Sequence, residues 1–309
     1  MTIGRARRPR STAAVVAAVA ALTMLTAACG TGDPAPRATG SSPPVSGISA
    51  TAGADPALAE QVPSAIRSAG RLVVATGSHY APMVYADEQG TLTGFDVELM
   101  TAIADLLDLE LEVKLVPFDQ ILPGIAAGRF DVGMDGIFDT LARQKTVDMV
   151  TYLRGGTQWI QRAGEDVDPN NACGRRVAAA SGNLQATVEL PAKSKACETV
   201  GDKPITIVAA ADQDGARRLL YDRKVDAVSA DAAVAAVDVR DSDGRLADAG
   251  RGFDSQPYGL PVARGSDLGP VLRAAVQKLI DDGRLAAIAA DWGLSDELID
   301  DSVINGATQ

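Results

Sequence analysis

A single histidine, His79, and three cysteines with no Cys-x-x-Cys spacing leave little material for a metal site. No Ser-His-Asp, zinc-type or paired-glutamate spacing is present either, which argues against the common hydrolytic centres. Basic residues are also scarce. Lysine and arginine total 29 against 40 acidic residues, for a formal charge of −11. Such a surface is unsuited to nucleic acid, whose phosphates are held by lysine and arginine. It is equally unsuited to polybasic attachment at an anionic membrane. Beyond the N-terminus no apolar run is long enough to span a bilayer. Neither a cofactor nor a metal is expected.

What is present begins with a targeting pattern. Arg5, Arg7, Arg8 and Arg10 precede a short apolar run from Ala13 to Leu25, the layout of an export signal. Leu25-Thr-Ala-Ala-Cys29 resembles a bacterial lipobox, with Thr26 where an aliphatic residue is usual. The expectation is a lipidated Cys29 at the mature N-terminus, residues 1–29 being the signal; an ordinary secretory signal with an incidental Cys29 is the alternative. Losing the four arginines takes the charge from −11 to −15. Residues 30–55 are rich in Pro, Ser, Thr, Gly and Ala and read as a disordered tether, roughly 30 Å in root-mean-square span. The protein is thus expected outside the cytoplasm, anchored by lipid. Cys173 and Cys197 remain, and in an exported chain they are most simply a disulfide; a catalytic thiol would lack a nearby histidine partner.

The body of about 250 residues alternates strand and helix patterns, which means an α/β fold with largely parallel sheets. Strand signals fall at 71–76, 110–116, 131–134, 176–180, 205–210, 225–229 and 258–263. A turn-rich hairpin fits 85–92. Helices are expected at 95–108, from Phe118, and at 183–190, 213–223, 267–282 and 284–292, with Asp96 placed to cap the first.

One unit occurs twice: a helix, a basic residue, then a short strand opened by Asp. The copies are Gln120 to Asp135 and Gly215 to Asp231. A cation, Arg143, lies beyond the first copy and an anion, Asp231, ends the second. Two lobes facing a cleft would offer those charges to the carboxylate and ammonium of a free amino acid.

Several segments in order resemble the family 3 extracellular solute-binding proteins, which serve ABC importers of polar amino acids. They are Thr76-Gly-Ser-His-Tyr-Ala-Pro82, Gly94-Phe-Asp-Val-Glu-Leu99, Gly128-Arg-Phe-Asp-Val132 and Asp139-Thr-Leu-Ala-Arg143. Lys224-Val-Asp-Ala-Val228, Tyr258-Gly-Leu-Pro-Val262, Asp282-Gly-Arg-Leu285 and Asp291-Trp-Gly293 complete the series. The resemblance implies a two-lobed periplasmic-binding-protein-like fold of type II, each lobe a mostly parallel sheet flanked by helices. Residues 56–156 with 254–309 would form lobe 1 and 157–253 lobe 2, with a two-segment hinge near 153–157 and 253–257.

By the same resemblance Arg143 clamps the ligand carboxylate and Asp231 accepts from its ammonium. Tyr80 and Phe118 would sandwich the ligand, and Asn183 sits at a helix N-terminus facing a carboxylate. The chain departs from the family at Gly77, where relatives often carry Asp. It departs again at Asp135-Gly136-Ile-Phe138, where small or hydroxyl residues are usual. Phe138 offers no hydroxyl, so that contact is either missing or carried by the backbone there. Asp135 adds an anion that leans toward a cationic solute, or else pairs with Arg143 or caps a turn. His79 is expected at the rim or in a neutral structural role, and Trp159 and Trp292 in the core. The expected partners are a small zwitterionic amino acid and a membrane permease, for a protein acting as a monomer. A dehydratase of prephenate- or arogenate-like acids on the same fold, or a sensor-type receptor, are the rival readings.

Overall fold

The computed structural model describes residues 53–77 and 79–308. The signal segment, Cys29 and most of the expected tether lie outside the described residues. The short helices α1 (Pro56–Ala59) and α2 (Ser64–Ala69) lead into β1 (Arg71–Thr76), α2 being stopped by Gly70 at φ 66°. A small antiparallel sheet follows from β2 (His79–Tyr80), β3 (Val84–Ala86) and β4 (Leu92–Thr93). Then come α3 (Phe95–Leu106), β5 (Glu110–Leu115), α4 (Phe118–Ala126) and β6 (Val132–Gly133). The long strand β7 (Val147–Arg162) carries the chain into a second lobe. That lobe holds β8 (Arg176–Ala180), a π-helical turn at Gln185–Glu189 continuing as α5 (Leu190–Thr199), and β9 (Thr206–Ala210). It is completed by α6 (Gln213–Tyr221), β10 (Ala227–Asp231) and α7 (Ala232–Arg240). Strand β11 (Leu246–Ala263) returns to the first lobe, which ends with α8 (Leu268–Asp281) and α9 (Arg284–Asp291).

All the long strands join one sheet in the order β5-β1-β6-β11-β7-β10-β8-β9. The two outer triplets, β5-β1-β6 and β10-β8-β9, are internally parallel. Between them β7 and β11 run antiparallel through both lobes. The sequence-expected crossing segments pair with each other there, Thr157 opposite Phe253 and Gly155 opposite Gln256, with register shifts on both sides of Phe253. Bulges of this kind bend a ribbon. Gly156 permits the close approach: a Cβ on it would stand 2.9 Å from the Phe253 carbonyl oxygen.

The repeated unit has one structural job in both lobes. Asp131 accepts from the Val73 amide at 2.9 Å, and Asp226 accepts from the Arg176 amide at 2.8 Å. Each aspartate thereby pins the start of its strand to the neighbouring parallel strand. Helices cover both faces of each triplet. The largest core packs Val97, Met100 and Ile103 of α3 and Val276 and Leu279 of α8 over the first sheet. Each such side chain contributes about 1.5–3 kcal/mol by leaving water. The second lobe has separate cores on its two faces, one around Trp159 and Leu190 and one around Ile160 and Leu220. Cys173 and Cys197 form a disulfide that ties the segment before β8 to α5.

Four expectations need revising. Asp96 does not cap α3; Gly94 holds the cap position without any side-chain bond, and Asp96 is buried and turned to Gly136. The helix expected at 183–190 starts as a π turn at Gln185–Glu189 and runs on as α5 to Thr199. Strand β10 extends two residues further, to Asp231. Strand β11 begins at Leu246, twelve residues before the pattern at Tyr258, and β7 covers a stretch where only a hinge near 153–157 is expected. Among the described residues no helix is long and apolar enough to cross a membrane.

Candidate ligand cleft

The carboxyl ends of β1, β5, β6, β8, β9 and β10 converge on the gap between the lobes. In such sheets ligands bind outside those strand ends. A cavity of ≈ 400 Å³ lies there, lined by Tyr80, Phe118 and Asp135 from one lobe and by Asn183, Asp212 and Gln213 from the other.

Arg143 opens a short 3-10 turn and is half-buried. Its guanidinium donates to the Phe138 carbonyl at 2.7 Å and to the Gly182 carbonyl of the opposite lobe at 3.0 Å. It also lies over the Phe118 ring, 5.7 Å from the centroid. Burial draws its pKa below the usual arginine value, while the charge of Asp231 holds it up. Among the described residues no ion pair joins Arg143 to Asp231 or to Asp135.

Asp231 ends β10 and occupies the cap position of α7, yet its side chain makes no cap bond. Its carboxyl is 1 % exposed and accepts from Gln185 Nε2 at 2.8 Å. Burial pushes its pKa up to about 6; Tyr80, Gln185, Tyr258 and then Arg143 pull in the opposite direction. The Tyr258 hydroxyl borders this carboxyl without meeting hydrogen-bond geometry. Tyr80 is buried on β2, and its hydroxyl accepts from Asn183 Nδ2 across the gap at 3.3 Å. Burial, then Asp231, raise the Tyr80 hydroxyl well above its ordinary pKa.

Asp135 follows β6 and is 4 % exposed. Its Oδ2 accepts from the Gly77 amide at 3.2 Å, and its Oδ1 has no hydrogen-bond partner among the described residues. Burial, then the charge of Asp96, raise its pKa well above the carboxylate range. Gly136 is packed against Tyr80 with φ 56° and donates its amide to Asp96 Oδ2 at 2.7 Å. Phe138 points elsewhere: its ring stacks on Tyr258 with centroids 4.4 Å apart, and only its carbonyl turns toward Arg143. His79 is exposed at the rim of the cavity. Trp159 is fully buried, and Trp292 is half-buried beside Tyr85.

Some participants carried no site role in the sequence reading. Gln185 ties Asp231 to the crossing strand, its Nε2 also reaching Thr157 Oγ1 at 3.1 Å. The signal was faint: a polar residue two positions after Asn183 on the inward side of a helix. Asp96 and Tyr258 lie inside quoted motifs, but spacing alone gave them helix and strand duties.

Two α/β lobes on a shared sheet, joined by two crossing strands and closing on a charged gap, define a solute-binding protein of the type II fold. The chain belongs to the bacterial extracellular solute-binding proteins, family 3, whose model matches residues 72–295. Membership makes it an exported solute-binding protein. It is 33% identical over 252 residues to the arginine-binding protein ArgT of Corynebacterium glutamicum, covering 81% of this chain and 83% of that one. An ancestral arginine-binding protein bound to arginine matches with a TM-score of 0.66 at 28% identity, over 72% of this chain and 98% of that structure. The amino acid ABC transporter substrate-binding protein AbpA of Streptococcus pneumoniae, bound to L-arginine, matches with a TM-score of 0.66 at 25% identity, over 75% and 99% of the two chains.

Proposed function

We propose that the protein is the extracytoplasmic receptor of an ABC importer and takes a polar amino acid between its lobes. The observation that carries this is the placement of Arg143 and Asp231 on facing lobes, the one donating to two carbonyls and the other accepting from Gln185, with no ion pair between them. A zwitterion satisfies both. Its carboxylate meets the Arg143 fork, and its ammonium meets Asp231 beside Gln185. Tyr80 and Phe118 flank it, Asn183 and Gly136 border it, and the Phe138 carbonyl steers the guanidinium. The arginine-bound neighbours support an amino acid as the solute.

The moving bodies are residues 56–156 with 254–309, and 157–253, pivoting on the paired segments of β7 and β11. A ligand that touches both lobes favours the closed state by its differential contacts. The closed monomer then delivers the solute to a membrane permease, tethered through Cys29. We read the cleft as a receptor and not an enzyme, in keeping with the binding proteins it resembles. Titration calorimetry against the free amino acids tests this. Saturable one-to-one binding of at least one of them is expected, and heat from none of the panel overturns the reading.

A further inference from the structure

Gly77 and Asp135 share one small volume. A Cβ on residue 77 would lie 2.8 Å from Asp135 Oδ2, so only glycine leaves that oxygen its place against the residue 77 amide. The neighbouring backbone is fixed by Asp96, which accepts from Gly136 at 2.7 Å. One Asp135 oxygen is therefore held, while Oδ1 is buried without a partner among the described residues, on a residue that lines the cavity. Arg143 forms no ion pair with it among the described residues, its guanidinium donating to two carbonyls instead. Asp96 and Asp231 add like charge nearby, and the other titratable neighbours, Tyr80 and Tyr152, bring no positive charge. A buried carboxyl in such company is a poor structural strut and a good acceptor for a cation.

We propose that Asp135, seated over Gly77 and braced by Asp96 through Gly136, selects amino acids whose side chain ends in an ammonium or guanidinium group. The inference rests on the receptor reading above and adds the side-chain class. A neutral side chain of the same shape leaves Oδ1 unpaired, whereas a cationic one supplies both charge and hydrogen-bond donors.

Calorimetric titration with L-arginine and its neutral isostere L-citrulline tests the assignment. The unaltered protein is expected to bind arginine at least about tenfold more tightly than citrulline, the scale of one charge-assisted contact. In Asp135→Asn and Asp135→Ser the ratio is expected to fall to within about threefold. Should neither variant fold, Gly77→Ala decides: it retains the acid but displaces it, and the ratio should drop as well. A wild-type ratio near one, or an unchanged ratio in a folded variant, overturns the inference while leaving the receptor reading intact. Binding of no amino acid at all would remove that reading, and this inference with it.

Discussion

Arg143 spans the cleft, donating to the Gly182 carbonyl of one lobe at 3.0 Å and to the Phe138 carbonyl of its own at 2.7 Å. Carbonyl oxygens are weaker partners for a guanidinium than a carboxylate, so an incoming carboxylate exchanges a modest pair of bonds for a stronger one.

From this follows the effect of Arg143→Ala. Amino-acid affinity should fall at least about 100-fold, the loss of two charge-assisted hydrogen bonds. The ligand-free melting temperature should move little, because the replaced contacts are partly exposed. Calorimetry and thermal unfolding of the same variant check both statements. Retained affinity removes the clamp.

Affinity should also depend on pH through Asp231. Its carboxyl in the empty cleft has a pKa raised by burial to about 6, and it must be ionised to receive an ammonium. Above that pH no proton has to leave Asp231; below it, each unit costs about tenfold in affinity. In Asp135→Asn, which has no second raised carboxyl to ionise, the dissociation constant should be flat at about pH 7–8 and rise steadily below about pH 6. A constant value down to about pH 5 would show that the ammonium is held elsewhere.

Stability without ligand should run the other way. Burial raises Asp96 and Asp231 to about 6 and Glu189 to about 7, from ordinary values of 3.8 and 4.5. A carboxyl with a higher pKa in the folded than in the unfolded chain favours folding while it is protonated. The gain is full below the unfolded pKa and is lost as pH rises through the folded one. Asp55, Asp226, Asp241 and Asp282 shift downward and titrate below this window. The ligand-free protein should thus be more stable near pH 5 than near pH 8, by about a few kcal/mol in total, and melt at a correspondingly higher temperature. Glu189→Gln, which keeps an acceptor for the 3.1 Å bond from Trp159 Nε1, should flatten the profile; an unchanged slope assigns it to other groups.

Gly94 opens the most recognisable motif for reasons that only the fold discloses. Its φ is 128°, and any Cβ would run into the Met83 carbonyl. Gly94→Ala should cost at least about 3 kcal/mol, read as a lower urea midpoint. A midpoint close to that of the parent would mean that the hairpin yields easily.

The motif shows how far the sequence could be read. The order of elements was legible because each parallel strand is a short apolar run between helices, and because Asp131 and Asp226 repeat one local device. The long strands were not. Arg154 and Gly155 on β7, and Asp248 and Gln256 on β11, have the composition of loops, and only mutual pairing makes them strands. The site divided along the same line. Charges such as Arg143 and Asp231 stand out locally, whereas Gln185 and Tyr258 matter through partners 46 and 27 positions away, at Asp231 in both cases.

The chain holds two indoles, and the fold gives one to each jaw: Trp159 sealed in the second lobe and Trp292 beside Tyr85 in the first. Intrinsic fluorescence is therefore a ready-made pair of reporters. Replacing either ring by phenylalanine leaves an emitter on a single moving body, and clamping can be timed by stopped flow with no dye attached.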